Sequence, residues 1–323
     1  MSLVGALLLA LLAGLLVGAV AIAPGDVLSA LSGASGSDST IVRDLRLPRV
    51  IGAALVGGAL AVAGVLLQSL LRNPLADPYV TGSSAGASLA AVLVIATGAV
   101  SPLALPLAAF AGALAASLLV WQLARAGGRT TVLSVLLAGV VLSSFCGALV
   151  TFLLVWSDRL ALRLRAVLGW LLGGISVLDL GELVVAGSVI AIGVALALML
   201  APRVDAFAFG EDSAAALGVD PERATVAILL TCSLLTGAAV ALSGLIGFVG
   251  LLVPHAARFA AGASAARLIP LCFLAGATVL VLADLGARTV VAPSELPVGV
   301  ITGLIGGPFF LSLLMRSRGI ARA

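Results

Sequence analysis

The chain has 323 residues, 62% of them hydrophobic and only 10% charged, with a formal net charge of +3. Soluble chains of this size carry about a quarter charged residues, so a water-solvated globule is excluded. All 17 basic residues are Arg; a P-loop ATPase site needs a Lys against the phosphates, so neither that site nor a lysine Schiff base can form here.

The apolar residues come in runs. A helix needs about 20 of them to cross the hydrocarbon, and lipid offers the backbone no water, so each run must be helical. The short alternating strands of a membrane β-barrel are missing from the pattern. Spans are expected near 3–23, 50–71, 82–98, 102–124, 131–155, 183–201, 224–243, 245–261, 268–286 and 297–315. The expected fold is therefore all-α, a polytopic transmembrane bundle of about ten spans forming one domain over 1–323.

The first run has no positive residue before it and is longer than a usual signal-peptide core, so it reads as a retained span although Ala21-Ile22-Ala23 mimics a cleavage site. Three connections are long: Pro24 to Arg49, Trp156 to Glu182 and Pro202 to Arg223. Leu160 to Ile175 is apolar but short, behind Arg159, Arg163 and Arg165, and reads as an interfacial helix rather than a span. Cys146, Cys232 and Cys272 lie inside apolar runs without ligand-like spacing, so they read as small hydrophobes.

Both termini are assigned to the cytoplasm by the arginine bias. Arg72, Arg125, Arg129, Arg203, Arg223, Arg258, Arg267, Arg316, Arg318 and Arg322 then lie inside. Arg43, Arg46, Arg49, Arg159, Arg163, Arg165 and Arg288 lie outside, against the rule. A shift of 180 positions lays Gly57 on Gly237, Gly64 on Gly244, Pro74 on Pro254 and Gly82 on Gly262. That spacing suggests an internal repeat of the kind transporters use.

Charged residues are almost absent from the span centres, where ion-coupled transporters place them. Asp284 and Arg288 lie one helical turn apart and can pair. His255, the only histidine, reads as structural. Gly303 to Gly307 and Gly244, Gly247 and Gly250 have helix-contact spacing. No metal cluster or nucleophile-base pair stands out.

Three polar islands remain. Arg46-Leu47-Pro48-Arg49 precedes the second span; it can be an interfacial anchor or a carboxylate-binding docking point. Asn73-Pro74-Leu75-Ala76-Asp77-Pro78 follows that span as a rigid turn. Phe209 to Asp220 carries a short helix capped by Ser213 and ended by Gly218, placed as a lever for a soluble partner.

At these residues the chain resembles the permease family of iron-siderophore, haem and vitamin B12 importers, the type II ABC importers. The resemblance rests on Leu45-Arg-Leu-Pro-Arg49, Arg72-Asn-Pro-Leu-Ala-Asp-Pro78, Gly247-Phe-Val-Gly-Leu-Leu-Val-Pro-His255, Asp284-Leu-Gly-Ala-Arg288 and Glu295-Leu-Pro-Val-Gly299. It implies a bacterial inner-membrane subunit that pairs with a second permease copy or paralogue. It also implies two ABC ATPase subunits that bind ATP and Mg, an external substrate-binding protein, and no cofactor or nucleic acid for this chain. Arg46, Arg49 and Arg288 match the family's docking arginines. Glu211, Asp212, Ser213, Ala214, Ala215, Ala216, Leu217 and Gly218 match its ATPase-coupling helix, within the 202–223 loop. Asn73 and Leu75 match its cytoplasmic gate, with Thr130 and Thr131 near a second gate element. An ion-coupled secondary transporter and a non-transport scaffold are the rival readings.

Overall fold

The computed structural model describes residues 2–18, 20–33, 36–98, 101, 103–125, 132–175 and 180–320. They form helices and turns, with no strand among them. The ten expected spans each hold a helix: α1 (Leu3–Leu16), α4 (Leu47–Leu70), α5 (Ser83–Thr97), α6 (Ala104–Arg125), α7 (Val132–Trp156), α10 (Leu180–Phe207), α12 (Pro221–Ser243), α13 (Val249–Ala261), α14 (Ala265–Thr289) and α15 (Val298–Ile320). Short helices occupy the long connections: α2 (Pro24–Leu31), α3 (Ser37–Thr40), α8 (Asp158–Leu162), α9 (Leu164–Leu171) and α11 (Glu211–Ala216).

α4 is the axis of the bundle. Every residue from Val56 to Leu70 is buried, and α14, α12, α10 and α13 surround it. Lipid supplies no hydrophobic drive between helices, so close approach of backbones must do the work. A side chain at Gly57 would overlap the backbone of Gly276 in α14, and one at Gly64 would overlap the Gly250 carbonyl in α13. Gly86 of α5 and Gly112 of α6 form a third such contact. Gly303, Gly307 and Gly247, by contrast, have nothing within 4 Å of an added Cβ, so these small residues do not serve contacts among the described residues. α6 and α7 form the periphery: 28% of each span window is buried, against 83% for the window on α4.

Helix lengths revise several boundaries. The first apolar run stops being helical at Leu16, where Val17 turns extended, and α2 opens at Pro24. The 160–175 segment divides into α8 and α9, neither of span length. α10 continues through Pro202 to Phe207, so the connection expected at 202–223 is shorter. The 180-residue shift is matched by the backbone in part. Gly57 and Gly237 both lie inside helices, and Gly82 and Gly262, at φ 78° and 77°, both precede one. Gly64, inside α4, falls on Gly244, the cap that ends α12, and Pro74, in a turn, falls on Pro254, inside α13.

α5 has 15 residues and α13 has 13. At 1.5 Å per residue these measure about 20 Å, short of the ~30 Å hydrocarbon core. Non-helical backbone must therefore lie at membrane depth beside both, which is tolerated only where protein groups satisfy it.

Candidate sites for docking, gating and coupling

The three arginines expected to dock a partner converge at one end of the bundle, but they do not share one environment. Arg46 is 6% exposed. Its Nη1 donates to the carbonyls of Leu15 at 2.7 Å and Leu16 at 3.0 Å, and its Nη2 donates to Val20. The last carbonyls of a helix have no intrahelical donor, and Arg46 supplies one for α1. Arg288 is 5% exposed and donates to the Gly14 carbonyl at 3.3 Å. Its Nε also stands 3.0 Å from Asp284 Oδ2, an ion pair outside hydrogen-bond geometry. Arg49 donates from Nε to Asp284 Oδ1 at 2.9 Å and from Nη1 to Glu295 Oε2 at 2.8 Å.

Asp284 is thus fully enclosed between two arginines, whereas Glu295 is 52% exposed. The expected pairing of Asp284 with Arg288 is present, and Arg49 joins it. Of the three arginines expected to face a partner, Arg46 and Arg288 are spent inside the chain, and Arg49 with Glu295 forms the accessible rim. Two of these arginines close the α1 end, a role that spacing alone did not reveal.

The second site lies where the turn after α4 meets the break between α12 and α13. α4 ends in a Schellman motif: Asn73 N–H donates to Gln68 O at 3.1 Å and Arg72 N–H to Ser69 O at 3.2 Å. Asn73 then folds its own turn, its Oδ1 accepting from Leu75 N–H at 2.9 Å. Asn73 is exposed and Leu75 half-buried.

Residues that sequence reasoning passed over hold the break itself. Asp77 caps the 3₁₀ turn Pro78–Thr81 through Tyr79 N–H at 2.9 Å, and it also accepts from Phe248 N–H. Phe248, at φ 71°, is a non-glycine residue in the left-handed region, where an L side chain costs about 1 kcal/mol. Gln68, 1% exposed, donates from Nε2 to Ala76 O, Gly250 O and Leu251 O. Its signal was present in the sequence as the one strongly polar residue of its span. Thr130 and Thr131 lie outside the described residues.

Just past the C-terminal end of α10, α11 begins after Gly210 at φ 101°. Glu211 and Asp212 fill its first turn, favourable at the positive end of the peptide dipoles. The expected Ser213 cap is not formed: the helix starts two residues earlier, so Ser213 lies inside it. The expected stop at Gly218 is present as a complete Schellman motif. Val219 N–H donates to Ala214 O at 3.0 Å and Gly218 N–H to Ala215 O at 2.9 Å, with Gly218 at φ 83°. Ala214 is buried as the anchor and Leu217 is 68% exposed. Asp220 then caps α12 through Glu222 and Arg223 N–H.

The remaining expectations concern single residues. Cys146, Cys232 and Cys272 are free and buried. His255 meets Phe259 edge-on at 5.2 Å. Among the described residues no cluster of His, Cys, Asp and Glu could hold a metal ion.

Comparison with known proteins gives one consistent result. Residues 6–316 match the FecCD transport family. The vitamin B12 import system permease protein BtuC of Vibrio vulnificus is 43% identical over 316 residues, covering 97% of this chain and 94% of that protein. The ferric enterobactin transport system permease protein FepD of Escherichia coli K12 is 39% identical over 318 residues, with 97% and 94% covered. The hemin transport system permease protein HmuU of Yersinia pestis is 40% identical over 284 residues, with 85% and 83% covered. A solved structure of an inward-facing metal-chelate type ABC transporter superposes with a TM-score of 0.84 at 29% identity, covering 97% of both chains.

Proposed function

The chain belongs to the FecCD transport family, the membrane permeases of ABC importers, and from that premise we propose that it carries an iron-siderophore, or alternatively haem or cobalamin, across the bacterial inner membrane. An external binding protein delivers the ligand, and two separate ATPase subunits, holding ATP and Mg, drive the bundle between outward- and inward-open forms. A second permease copy or paralogue completes the pathway, and both termini lie in the cytoplasm.

The observation that carries this reading is α11. It is a six-residue helix fixed at both ends, anchored by Ala214, that presents Leu217 to solvent between two long span helices. A lever must be rigid in itself and tied to what it moves, and α11 meets both conditions through α10 and α12. At the opposite end, Arg49 and Glu295 present the rim for the binding protein. The turn at Asn73 and Leu75, tied to the α12–α13 break by Asp77, Tyr79 and Gln68, is the inner gate. Breaks at membrane depth are where transporters change shape.

The test is reconstitution in liposomes. With its ATPase and binding protein the chain accumulates a labelled ferric siderophore, haem or cobalamin only when ATP is supplied on the α11 side. Accumulation by the chain without an ATPase would refute the reading.

A further inference from the structure

We infer that the cavity between the end of α4 and the start of α14 is a binding site for a phosphate-type oxyanion. The cavity measures about 300 Å³, and Gln68, Ser69, Arg72, Asp205, Arg258 and Ala263 are among its walls. At ~30 Å³ per water, that holds a phosphate group with a substituent.

Its charges are unbalanced. Arg72 and Arg258 come from different elements, and neither has an ion-pair partner among the described residues. Asp205 is the carboxylate in the wall, and it is already committed: Oδ1 accepts from Ala265 N–H at 2.6 Å and Oδ2 from Ser264 Oγ at 3.4 Å. It caps the start of α14, and its one negative charge against two arginines leaves the wall net positive.

Each arginine has a feature that packing alone leaves unexplained. Arg258 Nη2 donates to Ser69 Oγ at 3.3 Å, but its Nε is buried without a partner. A buried donor left unmade is costly, and the guanidinium fork can satisfy two acceptors at once. Arg72 occupies the left-handed position of the Schellman motif at φ 49°, where glycine is the usual residue. Its guanidinium reaches Gly210, since a Cβ there would lie 3.3 Å from Arg72 Nη1. The arginine therefore spans from the turn after α4 to the start of α11.

Gln68 closes the inner end of the cavity. Its Nε2 is fixed by three carbonyls at 3.0–3.4 Å, so the amide orientation is settled. The arginines select the occupant. Each guanidinium fork can take two oxygens, so a tetrahedral phosphate or phosphodiester group engages both, whereas a carboxylate has one pair of oxygens to share between them. Basic pockets between span helices are known receptors for anionic headgroups. Occupancy would tie the turn after α4 to α11, a consequence that matters for transport only on the reading above; the binding itself does not depend on it.

The test uses the purified full chain in detergent, with ³²P-labelled inorganic phosphate in equilibrium dialysis. One saturable site per chain is expected, with affinity lowered at least tenfold in both Arg72→Gln and Arg258→Gln, and with equimolar acetate unable to compete. Arg72 is exposed, so Arg72→Gln keeps the fold even if Arg258→Gln does not, and circular dichroism checks both. A second arm places the chain in phosphatidylcholine vesicles with and without phosphatidylglycerol. If phosphatidylglycerol abolishes phosphate uptake by the site, a headgroup is the occupant; if uptake is unchanged, free phosphate is, and either result supports the proposal. Absence of saturable binding, equal affinity in the two variants and the parent, or displacement by acetate overturns it.

Discussion

Tyr79 holds Ile246 by both backbone groups: its hydroxyl donates to the Ile246 carbonyl at 3.2 Å and accepts from the Ile246 N–H at 3.1 Å. One phenol thus satisfies a whole peptide position in the break between α12 and α13, joining segments 167 residues apart. Replacement by Phe keeps the ring and strands both groups. Each unmade buried bond costs about 1–3 kcal/mol. Tyr79→Phe is therefore expected to lower the thermal midpoint of the purified protein by several degrees. An unchanged midpoint would mean that water reaches the break.

The Asp284 network separates buried from exposed charge. Asp284→Ala leaves Arg288 buried and uncompensated, which costs about 3–5 kcal/mol. Glu295→Ala removes a half-exposed partner of Arg49 and costs under about 1 kcal/mol. Denaturant unfolding of the two variants is expected to rank them in that order, and equal losses would contradict the burial argument.

Arg46 and Arg49 should fail in different ways when reversed to Glu. At position 46 a carboxylate would face the carbonyls of Leu15, Leu16 and Val20. That variant is expected to lose the docking of α1 and to accumulate poorly in membranes. Arg49→Glu is expected to accumulate better, because Arg49 keeps one side at the surface. It should bind the delivery protein more weakly, with the loss larger at low salt than at high salt, since exposed pairs are screened within about 10 Å at 0.1 M. Immunoblotting and surface binding measurements separate the two defects.

Leu217 is exposed and outside the core. Leu217→Asp should leave the unfolding free energy within about 0.5 kcal/mol of the parent, as surface changes do. ATP hydrolysis by the assembled importer should then continue while uptake falls at least tenfold. Parallel assays of phosphate release and ligand accumulation decide it, and normal coupled uptake would remove α11 from its assigned role.

Much of this molecule was legible before folding. Runs of about 20 apolar residues have one solution in lipid, so ten helices could be placed although the ends of α1 and α10 were not, and Gly218 marked a left-handed stop that only glycine takes cheaply. The all-Arg basic set spoke against an ordinary P-loop, whose phosphates need a lysine. These properties depend on neighbours in the chain and on the solvent, and both are written into the sequence.

Tertiary structure decided what each polar residue meets. Arg46 looked like a surface anchor or docking cation until the end of α1 was found beneath it. Gly303 and Gly307 looked like packing residues until their face proved open, while Gly64 and Gly250 proved to touch. Gln68, Asp77 and Tyr79 acquired their roles only when a break 167 or more residues away lay against them. Long-range pairing of buried donors and acceptors carries no periodicity along the chain. It is set by which helix ends come to share one depth in the bilayer, and only the assembled bundle determines that.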